Sequence, residues 1–273
     1  MKQLLLILVT LAAIGVFESS VARAGDTESL FVTPEYAAAY IGKPSDMVLV
    51  DVRSPGVFGN MNIPGSINIP PHFIRNRNHL LQKQIVLVNQ GFATQELIGI
   101  CDGLRELGID AKILKGGFAA WVLKNLPVRG NPASDKGLFL VPPLTAFQEN
   151  TSQSFLPVDI SGKQGAREVF AGTVYSTASM DEDPDGLFEV LARFNTDYST
   201  TNILVFNHDG TGYETLRNQA VSAGTENLFF LNGGLDAYQE FLETRKLVNV
   251  PRSERILSLG KAPCTTCNFD PGQ

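Results

Sequence analysis

The chain has 273 residues, 44% of them hydrophobic, and a formal net charge of −6. That acidic balance excludes nucleic acid or an anionic membrane surface as the main partner, because both are recognised by basic surfaces. Once a short leader is set aside, about 250 residues remain, against roughly 100 to 150 for an ordinary domain, so two domains are expected.

The chain opens with Lys2 and an apolar run from Leu4 to Leu8, which continues with little polarity through Phe17 and ends in Ala22-Arg23-Ala24. A charged start, an apolar stretch and a small-x-small end describe a secretory signal peptide over residues 1–24, cut before Gly25. The run is shorter than the roughly 20 residues of a membrane-spanning helix, which argues against an uncleaved anchor. No later segment is long and apolar enough to span a bilayer. The mature chain is therefore expected off the membrane in an oxidising space, the bacterial periplasm.

Val32-Thr33-Pro34-Glu35 opens a short helix, and Met47-Val48-Leu49-Val50-Asp51 reads as an apolar strand ending in an acid. Ile85 to Val88 has the β-branched, non-alternating pattern of a buried parallel strand. A loop follows, then a helical stretch from Glu96 to Leu107. The unit closes with Ile113-Leu114, the Gly116-Gly117 turn and a helix through Trp121.

Arg129 to Gly137 is polar and rich in breakers, and it holds the linker, residues 131–137. Beyond it the order repeats: Val141-Pro142-Pro143, then Leu156-Pro157-Val158-Asp159, Ile203 to Phe206, a helix over Glu214 to Ala223, and Phe230-Leu231 with Gly233-Gly234 running into Tyr238. Strand, loop, helix, strand, Gly-Gly and helix describe a βαβ unit. The expected fold class is therefore α/β, two tandem domains (25–130 and 138–248), each a parallel sheet covered by helices on both faces, followed by a tail over 249–273. The second unit is longer between its acid strand and its central strand, and includes the acidic run Met180 to Asp185. Its spacing offers no cation cage, so it reads as a solvated loop.

Asp51-Val52-Arg53-Ser54, Asn62-Ile63-Pro64-Gly65-Ser66-Ile67-Asn68-Ile69-Pro70, and Leu114 to Trp121 with Leu126-Pro127-Val128 behind it together resemble the rhodanese (thiosulfate or mercaptopyruvate sulfurtransferase) superfamily. The second unit keeps Asp159, Gly172 and Gly233-Gly234, with Val174-Tyr175-Ser176 in place of the Ile-Pro-Gly stretch. The resemblance implies a loop after the central strand that begins with cysteine and wraps backbone N–H groups around its sulfur at a helix N-terminus, stabilising a thiolate and then a persulfide. Here the loops read Asn89-Gln90-Gly91-Phe92-Ala93-Thr94-Gln95 and Asn207-His208-Asp209-Gly210-Thr211-Gly212-Tyr213. Asparagine stands at the cysteine position in both, and the basic residue that members often carry late in the loop is Thr94 in one and Gly212 in the other. An asparagine amide is no nucleophile, so the implied ping-pong chemistry has no carrier at either loop.

What remains at residues 89–95 is either an N–H nest for an anion or a tight turn held by asparagine hydrogen bonds. In the second loop Asp209 opposes anions. His208 beside Asp209 is expected to point away from it, a loop histidine without a catalytic role. Cys101, amid Leu97, Ile98, Ile100 and Leu104, reads as a buried small apolar residue one turn into its helix.

The tail carries the remaining thiols, Cys264 and Cys267. Asn268 stands where a covalent haem site needs histidine, and zinc lacks two further ligands, since His72, His79 and His208 show no paired spacing. A working dithiol and a passive local disulfide both remain open. No cofactor and no resident metal are expected. The leading reading is a catalytically inactive, rhodanese-like exported protein that binds a periplasmic protein or a small anion. The alternative is a sulfurtransferase, sulfur relay or thiol redox protein working through Cys264 and Cys267, and a third is metal handling by the tail together with a partner.

Overall fold

The computed structural model describes residues 30–43, 46–76, 80, 82–131, 137–151, 155–161, 169–170, 174–176, 184–197 and 202–249. The leader 1–24, the Cys264/Cys267 tail, residues 132–136 of the linker, His79, Gly172 and residues 180–183 of the acidic run lie outside the described residues.

The first unit runs β1 (Phe31–Val32), α1 (Pro34–Ala38), β2 (Met47–Asp51), α2 (Pro55–Asn60), β3 (Met61–Asn62), β4 (Ile67–Asn68), a 3₁₀ turn (Pro71–Asn76), β5 (Gln84–Val88), α3 (Thr94–Arg105), β6 (Ala111–Leu114), α4 (Gly117–Leu123) and β7 (Arg129–Gly130). Helix α1 starts where it does because Thr33 caps it, its side chain accepting from the Tyr36 amide at 3.2 Å, and Pro34 follows with its backbone angle already helical. Five strands form a parallel sheet in the order β1-β6-β5-β2-β4, while β3 and β7 pair antiparallel as a separate ribbon.

The central strand explains the absence of alternation in the sequence. Ile85 and Leu87 face Leu97, Cys101 and Leu104 of α3, whereas Val86 and Val88 share a core with Ala37 of α1 and with Phe118 and Trp121 of α4. Both faces of the sheet are thus dry. Burying an aliphatic side chain of this kind stabilises the fold by about 1.5–3 kcal/mol. Trp121 is fully buried, and its indole N–H donates to the Pro127 carbonyl at 2.9 Å.

The second unit runs β8 (Leu140–Val141), α5 (Pro143–Thr151), β9 (Phe155–Asp159), β10 (Tyr175–Ser176), α6 (Pro184–Asp197), β11 (Asn202–Phe206), α7 (Tyr213–Ser222), β12 (Leu228–Leu231) and α8 (Gly234–Asn249). Its parallel sheet, β8-β12-β11-β9-β10, repeats the order of the first. The register places Tyr175 and Ser176 beside Val158 and Asp159 as Ile67 and Asn68 lie beside Val50 and Asp51. Val174-Tyr175-Ser176 therefore corresponds to Ser66-Ile67-Asn68, not to the Ile63-Pro64-Gly65 stretch. The α4 side of the first sheet does not end at the unit boundary. One continuous core joins Val86, Leu114 and Phe118 to Phe139, Phe155 and Phe229.

Candidate functional site

The acid that ends β2 holds a buried ion pair. Asp51 is fully buried, and its carboxylate accepts from Arg53 Nη2 at 2.7 Å and from Arg53 Nε at 3.0 and 3.1 Å. Nη2 also donates to the Met61 carbonyl at 2.8 Å, and the guanidinium carbon lies 3.8 Å over the Phe118 ring. Nη1 is buried and has no partner among the described residues. In the second unit the matching acid, Asp159, accepts from the backbone N–H of Ser161 at 2.8 Å, as Asp51 does from the backbone N–H of Arg53 at 3.0 Å.

Asn89 follows β5 and is buried. Its Oδ1 accepts from the Gly91 amide at 3.0 Å, and its Nδ2 donates to the Phe92 carbonyl. The loop is tied to the start of α4, where the amides of Phe118 and Ala119 donate to the carbonyls of Asn89 and Gln90 at 2.8 and 3.0 Å. This approach accounts for the Gly-Gly turn, because a Cβ on Gly117 would come within 2.5 Å of Asn89 Oδ1. Ala93 then adopts a left-handed conformation (φ 59°, ψ 40°), and α3 starts at Thr94 without a side-chain cap. Thr94 and Gln95 consequently belong to the helix, which shortens the expected loop of residues 89–95. Cys101, in turn, lies nearly two turns into α3 rather than one.

The second loop repeats this bracing. Asn207 Oδ1 accepts from the Gly210 amide at 2.8 Å, Nδ2 donates to the Thr211 carbonyl at 2.9 Å, and the amides of Leu235 and Asp236 hold the carbonyls of Asn207 and His208. Each partner of the asparagine side chain is one residue further along than in the first loop, and α7 begins at Tyr213 after Gly212 (φ 75°). The counterpart of Thr94 is therefore Tyr213, not Gly212. Tyr213 is buried and its hydroxyl accepts from the Asn207 amide at 3.2 Å; burial holds the phenol well above its ordinary range. Asp209 turns to Thr211, whose amide and hydroxyl donate to its carboxylate at 3.0 and 2.9 Å and hold it below the usual carboxylate range. His208 faces Asp236 at 3.5 Å rather than its neighbour Asp209.

A cavity of about 230 Å³ is lined by Arg53 and Pro71 and by Asn89, Gln90, Phe92, Ala93 and Glu96. A smaller one, about 140 Å³, lies under Tyr40, Lys43 and Pro64, away from both loops. Among the described residues no three His, Cys, Asp or Glu side chains converge closely enough to hold a metal ion. Cys101 is fully buried, and burial pushes its thiol up to about 12. Neither a nucleophile nor a thiolate stands at either strand end. The cation beside the first loop escaped the sequence reading, although the Asp-x-Arg spacing that creates it was visible.

The family model for the rhodanese-like domain matches residues 33–124. This segment is a rhodanese-like domain. It includes the Asp51–Arg53 pair, the first loop and the Gly116-Gly117 turn. Similar solved structures include a full-length protein from Lactobacillus plantarum (20% identity, 42% of this chain and 98% of that chain, TM-score 0.38). A rhodanese-like domain from Anabaena sp. (20%, 38% and 82%, 0.33) and the thiosulfate sulfurtransferase from Pseudomonas aeruginosa (15%, 77% and 42%, 0.33) are similar too. No curated protein matches the chain.

Proposed function

We propose that this chain is an exported rhodanese-like protein that does not transfer sulfur at its loops, and that it binds a small anion in the cavity beside Asn89–Ala93. The observation that carries the first half is the state of Asn89: both polar atoms of its amide are engaged by the loop's own backbone, and nothing at that position can attack a sulfur donor. Asn207 is engaged in the same way.

Support for an anion comes from the cavity. The N–H groups at the start of α3, a twelve-residue helix, carry no side-chain cap, and the left-handed Ala93 before them shapes a concave turn of the kind that collects amide dipoles. Arg53, in the lining of the cavity, adds a cation whose buried Nη1 has no hydrogen-bond partner among the described residues. Asp51 balances much of that charge, and exposed Glu96 is screened by water, so affinity in the roughly millimolar range is expected, about −4 kcal/mol. A small ligand is favoured over a protein at this loop because Gln90 and Gly91 are already bonded to the second unit. The sulfur-relay reading rests on Cys264 and Cys267, which lie outside the described residues.

The test uses the mature chain and a Cys264→Ser/Cys267→Ser variant. Neither is expected to turn over thiosulfate with cyanide, and sulfate titration is expected to move the amide resonances of Phe92 to Gln95. Turnover that survives the double substitution overturns the non-catalytic reading. Sulfate at tens of millimolar that leaves those amides unmoved overturns the anion reading.

A further inference from the structure

The first loop, besides lining the cavity, is in contact with the second unit. Asn202, the first residue of β11, donates from Nδ2 to the Gly91 carbonyl at 2.9 Å. Gln90 Nε2 donates in the other direction, to the Leu138 carbonyl at 2.9 Å. Phe92 meets Phe229 edge-on, their centroids 5.7 Å apart. Phe229 is itself buried and packs beside Phe139 and Phe155, so it presents a fixed surface. Nearby, Lys124 pairs with Glu226 at 2.8 Å.

Gly91 records how close this approach is. At φ +132° a side chain is already disfavoured, and a Cβ there would lie 2.8 Å from Phe229 Cζ as well as 2.8 Å from the Gly116 carbonyl. Part of the reason for glycine at the centre of this loop is therefore the second unit, not an anion.

We propose that the first unit's loop is the docking seat of the second unit, so that the standing partner of Gln90-Gly91-Phe92 is the other half of the same chain. The contact has the elements of a specific interface: a buried aromatic anchor, two reciprocal hydrogen bonds and a charged pair at the rim. It is also one-sided. In the second loop Thr211 bonds to Asp209 and His208 pairs with Asp236, contacts that stay within the second unit. The proposal does not depend on anion binding, since the contacts across the joint are made between the chain's own residues, although Gln90 and Phe92 also line the cavity.

Hydrogen exchange on the full chain tests it. Phe229→Ala removes the anchor, and because Phe229 also packs within its own unit, a second variant, Gln90→Ala/Asn202→Ala, removes the two polar links while leaving both cores intact. In the double variant exchange is expected to rise on the order of 10-fold in residues 89–93 and in 137–141 together, as two lost hydrogen bonds imply. The central strands 84–88 and 203–206 keep their protection. The proposal is overturned if neither segment changes in the double variant, or if one changes without the other.

Discussion

Replacing Asn89 by alanine measures how far the first loop depends on one side chain. The substitution removes two hydrogen bonds at a buried site, each worth a net of about 1 kcal/mol, and leaves the Gly91 N–H and the Phe92 carbonyl without that partner. With the desolvation of those groups included, a loss of about 2–4 kcal/mol is expected. Asn207→Ala also removes two bonds, but its bond to Thr211 is exposed, so water replaces part of what is lost and about 1 kcal/mol is expected. Urea unfolding of wild type and both variants at pH 7 reads the difference as a shift in midpoint at unchanged slope. If Asn89→Ala costs no more than Asn207→Ala, or if both stay within about 0.5 kcal/mol of wild type, the side-chain brace is not what holds the loop.

Ala93→Gly is expected to raise stability by roughly 0.5–1 kcal/mol, because a left-handed conformation costs alanine about 1–2 kcal/mol, against about 0.4–1 kcal/mol for the extra freedom of glycine in the unfolded chain, and the corresponding helix start in the second unit already uses Gly212; thermal unfolding that shows no gain counts against the strain. For Cys101 the folded thiol titrates near 12 against about 8.5 in an unfolded chain, so its contribution is fully present below about 8.5 and is lost as pH rises towards 12. Stability measured between pH 8.5 and 10.5 is expected to fall more steeply in wild type than in Cys101→Ala, by up to about 1.4 kcal/mol per pH unit, and equal slopes refute the assignment.

Much of the fold was legible because burial on both faces leaves a mark on each residue of a strand. Ile85 to Val88 and Ile203 to Phe206 carry no polar alternation, and both turn out to be central strands with two dry faces in the first case and one continuous core in the second. The Gly-Gly turns were legible for a related reason, since close backbone approach admits only glycine there. The one-residue difference between the loops was not legible. It depends on Ala93 taking a left-handed conformation, and alanine is not a residue whose type announces one. The joint was hidden for a different reason: Asn202 and Phe229 lie in unremarkable strand sequence, and only folding brings them to Gly91.

Both units end the strand before the central one with a buried acid, and the first places an arginine two residues after it. Asp159 in the second unit is buried and accepts from the Ser161 backbone N–H, as Asp51 accepts from the Arg53 backbone N–H. In the first unit the Arg53 side chain is held against Asp51, over Phe118 and against the Met61 carbonyl. Taking both charges out of water costs several kcal/mol before their attraction offsets it, so stability alone is a weak reason for the pair. Its other consequence is positional: it places a fixed cation in the wall of the cavity beside the first loop, where the second unit has serine at the matching position. If an anion is held anywhere by these two loops, electrostatics favours the first, and the substitution of arginine by serine two residues after the acid is the feature that distinguishes them.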